Sequence, residues 1–505
     1  MTDITRYIKV RMRLALAANL FLKTVPVLSI FPVLSSVPAL APVLVPGMAR
    51  TSGNTLSRMA APLLAAALLL IAVYQTAWAQ IPAAPQSGPV ALTGGTIHTV
   101  SGPVIENGTL VFDQGKIIAI GKDVAIPDDA RVVPVEGKHI FPGLIDAWSQ
   151  MGIYEIGAVP MTLDIVEQGR FNPNVRVEVA VNPESRHIGV ARSAGVLTTV
   201  TTPGGGLIAG QSAALALDGW SWEDMTLRPG VSLIINWPSP SDRKAYEESV
   251  SELTQFFEDA RAYHKARQAA ESSRGKAAAQ QEERERSRWR RSSTQAESQQ
   301  TIPRHDFDSR FEAMAPYLSG SRPVTIHANE VRQIQDAASW ARAQGLRPVI
   351  MGGRDAHRVS RQLHAMEIPV IITTVLASPV RSYEPYDIRY RLPVLLHDAG
   401  VTFAIAGSSS AAYANRLPWE AGAAAAFGLP LEEALRAVTR NPAIILGLDD
   451  QIGALETGMD ATFVITDGHP LEYTTQILQV YIRGRKSDMN DVHRQLYDKY
   501  RRRLE

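Results

Sequence analysis

Cysteine is absent from all 505 residues, which removes disulfides, thiolate nucleophiles and cysteine-ligated zinc together. Any bound metal would have to be held by histidine and carboxylate side chains. Excess charge is also missing: 51 basic residues face 50 acidic ones, a net charge of +1, so the overall balance gives no pull toward nucleic acid. Beyond the first eighty residues the apolar runs are short and broken by Gly and Pro, which argues against a bundle of membrane-spanning helices.

What is present begins with a leader over residues 1–79. Arg50 and Arg58 precede an apolar stretch from Met59 to Val73, and Ala77-Trp78-Ala79 supplies the small residues of a cleavage site. This predicts a secretory signal peptide over 48–79, cut after Ala79, and a periplasmic or secreted protein. An uncleaved leader acting as a membrane anchor is the alternative. The upstream run is interrupted by Pro26, Pro32, Pro38, Pro42 and Pro46, against regular helix, and Met48 or Met59 is the expected start.

From Val90 to Val135 short alternating runs are separated by Gly-rich turns, the pattern of hairpins in a small sheet. His98 and His139 fall in this region and read as packed or solvent-facing side chains. After Phe141-Pro142-Gly143 the texture changes to strands at Leu144–Trp148, Val196–Thr202, Val231–Trp237, Val324–Ala328, Pro348–Gly352, Pro369–Leu376 and Val401–Ala406. Several are continuous apolar runs, as parallel strands covered on both faces require. Helices are expected between them. One starts at Asn182-Pro183 and closes at Gly195; another carries Val331, Ile334, Ala338 and Ala341 and ends at Gly345; a third runs from Leu431 to Asn441-Pro442. Repeated strand-helix units imply an α/β barrel or an open doubly wound sheet. Residues 241–300 turn polar and mixed in charge, which predicts a solvated helix followed by a disordered insert, not a basic nucleic-acid arm. The short strands after Gly453 look like the missing strands of the first sheet.

Two ordered motifs carry a resemblance. Phe141-Pro142-Gly143-Leu144-Ile145-Asp146-Ala147 is similar to the entry strand of the amidohydrolase superfamily, its imidazolonepropionase-like group included. Asn441-Pro442-Ala443, Ile452-Gly453-Ala454-Leu455, Gly458-Met459-Asp460-Ala461 and Gly468-His469-Pro470-Leu471 resemble that family's return to its smaller domain. The resemblance implies a (β/α)₈ TIM-like barrel over 141–449, with the polar insert at 241–300. It also implies a composite β-sandwich built from 88–140 and 450–485.

The resemblance further implies a divalent cation, zinc or another, held at the C-terminal ends of the barrel strands. In the family the entry strand ends in His-x-His; here those positions are Trp148 and Gln150. The fifth-strand ligand is kept as His327. The sixth strand reads Val349-Ile350-Met351-Gly352-Gly353, without a His, and Ser409 stands where the eighth strand carries the Asp that serves as ligand and general base. No Lys or Glu suits the bridging position of the fourth strand. Trp cannot ligate, Gln offers a neutral carbonyl oxygen, and serine is a poor base near neutral pH. The remaining donors bind a metal weakly or not at all, unless His187 or His305 supplies what is missing.

The expected function is a hydrolase of carbon-nitrogen bonds other than peptide bonds, with His327, Asp146 and Ser409 as candidate catalytic residues and Gln150 beside them. Asp146 has a second reading, as the holder of a backbone turn. The competing class is a catalytically inactive barrel acting as a periplasmic ligand-binding or scaffold protein. In that reading Trp148 would stack on a small-molecule ligand. A third is a homo-oligomer or a partner of an active paralogue. Gly210-Gln211-Ser212 only partly mimics a nucleophile elbow, because Leu215-Ala216-Leu217 reads as strand and no helix follows. Gly204-Gly205-Gly206 lacks the Lys-Ser/Thr of a phosphate loop and reads as an ordinary loop. His357 and His364, seven apart, are expected on the surface of one helix.

Overall fold

The Gly-rich hairpin region forms β1 (Val90–Ile97), β2 (Ile105–Asp113), β3 (Lys116–Gly121), β4 (Arg131–Pro134) and β5 (His139–Pro142). The computed structural model describes residues 81–288, 306–408 and 410–504, the side chains of 273–288 excepted. The leader, residues 289–305 including His305, and Ser409 therefore lie outside the described residues. After Gly143 the chain builds β6 (Leu144–Ser149), β7 (Val196–Thr201), β8 (Ile208–Gln211), β9 (Ala213–Ala216) and β10 (Thr226–Arg228). It continues with β11 (Leu233–Asn236), β12 (Val324–Ala328), β13 (Pro348–Gly352), β14 (Val370–Ile372) and β15 (Phe403–Ile405). It ends with β16 (Phe463–Thr466), β17 (Ile477–Ile482) and β18 (Arg485–Ser487).

The molecule is mixed α/β. The two ends of the described chain meet in one eight-stranded sheet, ordered β18-β17-β16-β5-β1-β2-β3 with β4 on β1. The junction is the antiparallel β16–β5 ladder, Phe463 opposite Pro142 and Thr466 opposite His139. Alternation buries one row of side chains there: Leu92, Leu110, Phe112, Ile140, Phe463 and Tyr481.

A four-stranded sheet, β10-β9-β7-β6, and a six-stranded sheet, β15-β14-β13-β12-β11-β8, make up the rest. β11 to β15 are parallel neighbours, as are β6 and β7. One feature departs from an all-parallel arrangement. β8 and β9, separated only by Ser212, run antiparallel to β11 and β7 respectively, so a single extended stretch links the two sheets. Ser212 is fully buried and its hydroxyl donates to Ser232 O at 3.3 Å, which leaves no exposed nucleophile at that turn. The Gly204–Gly206 segment is a loop, with Gly205 and Gly206 at φ +78° and +60°.

Side chains from successive strands pack on one face: Ile145, Ala147, Val200, Ala214, Val349, Ile371 and Ala404, closed at one end by Ala443, Leu446 and Leu448. A larger cluster covers the other face beneath the helices, and Phe141, Val464 and Val480 of the composite sheet belong to it too. Both faces of the central strands are thus buried, as their uninterrupted apolar sequences require.

Several helix expectations are corrected. The first helix starts at Arg186, not at Pro183, because Asn182 Oδ1 accepts from Glu184 N at 3.0 Å and closes a turn of its own. The helix at Leu431 stops at Arg436, and a second, Arg440–Leu446, contains Asn441-Pro442 in its first turn, where a missing N–H costs nothing. His357 and His364 lie on a 3₁₀ segment, Ala356–Val359, and the separate helix Ser360–Ala365.

The polar insert begins as one long helix, Arg243–Arg288. Its first half is not simply solvated. Tyr246, Leu253, Phe257 and Ala260 recur at three- to seven-residue intervals along one stripe and are buried in the main core. That stripe was visible in the sequence but was masked by the charge around it. Among the described residues no helix is long and apolar enough to cross a membrane.

Candidate functional site at the strand ends

Parallel strands gather their C-terminal ends on one rim, and the candidate residues follow from that. β12 ends in His327-Ala328, and the half-buried His327 pairs in register with Met351 of β13. Trp148, near the end of β6, lies with its ring centroid 6.1 Å from that of His327, tilted by 33°. Trp148 also packs on Ala209, Ile234 and Met351. The structure therefore brings Trp148 and His327 together, with Met351 beside them. Gln150 stands one residue past the end of β6 and is half-buried.

His327 Nε2 lies 3.2 Å from Asn329 Nδ2, and burial holds the His327 imidazole below its ordinary pKa. It is thus a neutral ring in a partly apolar setting. Asn329 packs closely on Gly352, the last residue of β13: a Cβ there, at φ +94°, would come within 2.6 Å of Asn329 Oδ1. That position needs glycine twice over, for its backbone and for the close approach.

Asp146 is buried completely. Its Oδ1 accepts from Gly407 N at 3.0 Å and from Trp148 N at 3.3 Å, so it ties the end of β15 to β6. Its Oδ2 has no hydrogen-bond partner. Burial pushes the carboxyl up to about 7, against the pull of those two N–H donors and with a further rise from Glu420. The turn-holding reading of Asp146 describes Oδ1; the free Oδ2 leaves room for more. Next to Gly407, Ser408 sits at φ +108°, a strained backbone for a residue with a Cβ.

Other candidates fall elsewhere. His187 Nε2 is engaged by Glu155 O at 3.0 Å. His98 and His139 are not loose surface histidines: His98 Nε2 and His139 Nδ1 are 3.1 Å apart, and the His98 ring stacks on Phe141 at 4.0 Å.

Sequence reasoning missed a charged cluster beside the rim. Asp355, nearly fully buried, takes both guanidinium arms of Arg381 at 2.8 and 2.6 Å, and Arg381 also reaches Glu384 at 2.6 Å. Glu420, on the helix Leu417–Ala426, accepts from Val375 N and Leu376 N at 2.6 and 2.7 Å and so shapes the loop after β14. The Arg354-Asp355 and Arg381-Ser-Tyr-Glu384 pairs are present in the sequence, but nothing in their spacing says that they meet.

Among the described residues no group of three or more His, Asp or Glu side chains is placed to hold a metal. His327 stands beside an indole and a thioether, and Asp146 is driven toward its neutral form. A tightly held cation needs several convergent imidazole or carboxylate donors.

Comparison with known proteins agrees with this fold. The Amidohydrolase family matches residues 389–492. "Amidohydrolase tasK" of Hapsidospora irregularis is 23% identical over 391 residues, covering 75% of this chain and 39% of the relative. The chain thus spans about two fifths of the length of that protein. An amidohydrolase crystal structure from Thermotoga maritima MSB8 superposes with a TM-score of 0.68 at 23% identity, over 79% of this chain and 99% of the other. The family match at the C-terminal end, the curated relative and the shared fold all point the same way: this chain is similar to amidohydrolases.

Proposed function

We propose that this protein is an exported amidohydrolase relative that binds a small molecule at the strand rim without metal-dependent hydrolysis. In this reading the four- and six-stranded sheets close into one (β/α)₈-type barrel through the continuous β8–β9 stretch and the Asp146–Gly407 contact. The composite sheet is half of a β-sandwich, and residues 48–79 are its secretory signal.

One observation carries the functional part. Where relatives are expected to converge ligands, Trp148, Met351 and Ile234 pack together beside His327. An indole at a half-buried rim gives a flat apolar surface for a ligand, and the neutral imidazole gives one polar contact for orientation.

A second reading, a metal-independent hydrolase of carbon-nitrogen bonds, is favoured by Asp146. A buried carboxyl with a free oxygen and a pKa near neutrality is the kind of group that moves protons in catalysis. Metal analysis of the mature protein, with a panel of lactams, dipeptides and cyclic amides, separates the readings. Binding without metal or turnover, weakened by Trp148→Ala, supports the binding protein. Turnover without metal, lost in Asp146→Asn, establishes the second reading. Stoichiometric zinc with turnover abolished by His327→Ala overturns both.

A further inference from the structure

We infer that Arg354 and Arg389 form an oxyanion subsite beside the strand rim, one that takes a carboxylate or phosphate group of the bound small molecule. The inference rests on the ligand-binding reading above and names the chemistry of its ligand.

Placement comes first. Arg354 lies two residues past the end of β13, and its neighbour Asp355 donates its N–H to Asn329 O at 2.9 Å. Asn329 is the residue in contact with His327. Arg389 opens the helix Ile388–Asp398 and donates from Nη2 to Thr374 O at 2.8 Å, in the loop just after β14. Arg354, on the loop after β13, and Arg389, in the first turn of a helix tied to the loop after β14, therefore both lie at the end of the strands where His327 and Trp148 meet.

Their unmet hydrogen bonds come second. Arg389 is 6% exposed, and its Nη1 is buried without a partner. Arg354 Nε is likewise buried without a partner. A guanidinium donor removed from water and left unmade is costly, and such groups in native proteins point to a water or an ion.

The carboxylates nearby do not fill the need. Asp355 and Glu384 are taken by Arg381, and Glu420 by the backbone of Val375 and Leu376. Glu330 reaches only Arg354 Nη2, at 3.3 Å, and Asp355 Oδ1 stands 3.7 Å from Arg354 Nε, beyond hydrogen-bond reach. Among the described residues no carboxylate pairs with Arg389. Burial, and then the like charge of Arg354, hold the Arg389 guanidinium below its ordinary pKa against the more distant pull of Asp355, Glu384 and Glu420, and an anion bound at its free donor would add to that pull. Two guanidinium groups presenting free N–H donors match the paired oxygens of a carboxylate or phosphate.

The test titrates the full mature chain with inorganic phosphate, N-acetyl-L-alanine and its uncharged amide at constant ionic strength, reading thermal unfolding and calorimetric affinity. Phosphate or the carboxylate should bind and raise the unfolding temperature, the amide should not, and the responding anion tells which source the subsite accepts. Arg389→Met and Arg354→Met should each weaken anion binding by about tenfold or more, the worth of one charge-assisted hydrogen bond. Arg389→Lys, which keeps the charge but loses the fork, should bind with intermediate affinity and shows whether the site survives if the methionine variant misfolds. Equal response to acid and amide, no response to either anion, or an anion response unchanged in folded arginine variants overturns the subsite. Those outcomes leave the ligand-binding reading intact, whereas zinc-dependent turnover would remove that reading whatever the anions do.

Discussion

Asp146→Asn isolates the energetic cost of a carboxyl group sealed between β6 and the end of β15. The side chain is fully buried, and its carboxyl rises from an ordinary 3.8 to about 7. Between those values the folded protein holds a proton that the unfolded chain has released. Stability therefore falls as pH rises through this window and is flat above it, the reverse of an ion-paired aspartate. Over about 3 pH units, at about 1.4 kcal/mol each, the aspartate loses on the order of 4 kcal/mol. Asparagine keeps an oxygen for Gly407 N and Trp148 N but does not titrate. Urea unfolding of both proteins from about pH 4 to about pH 8 should show the stability difference, wild type minus variant, dropping by about 4 kcal/mol up to neutrality and then levelling. Parallel profiles would refute the reasoning, since Asp146 would then ionise in the folded state as it does in water.

Two further outcomes follow from the same physics. Burial, then His139 and His469, lower His98 from 6.5 to about 4, so its neutral form stabilises the fold above pH 6.5 and that stability is lost as pH falls toward 4. His98→Gln should reduce the acid sensitivity seen in urea unfolding, opposite in sign to the Asp146 effect; unchanged acid sensitivity would count against the packed histidine cluster. Phe257 is fully buried on the long insert helix and meets Trp340 edge-on at 5.1 Å. Phe257→Ala should cost about 3–5 kcal/mol in the same assay, whereas an insert that merely floats in solvent would show almost nothing.

The strands were legible because a parallel strand buried on both faces must be apolar along its whole length. Val324–Ala328 and Pro348–Gly352 were read to their end residues. The helix boundaries were less so. At Asn182-Pro183 and Asn441-Pro442 the local signals were real, but each served a neighbouring element: a turn in the first case, a new helix start in the second. The long insert is the hardest segment to read, since its buried stripe is sparse and charge on the other faces dominates its composition.

The sequence alone determined the alternation of strands and helices, the amidohydrolase-like motifs at either end, and the presence of Trp148 and Gln150 at the end of the entry strand. Those are properties of residue identity and spacing along the chain. Only the tertiary structure decided that Trp148 meets His327, that Asp146 bridges to Gly407 261 residues away, and that Arg354 and Arg389 carry unmet donors beside the same rim. Burial and hydrogen-bond satisfaction depend on which distant segments pack together, and no local pattern encodes that distance.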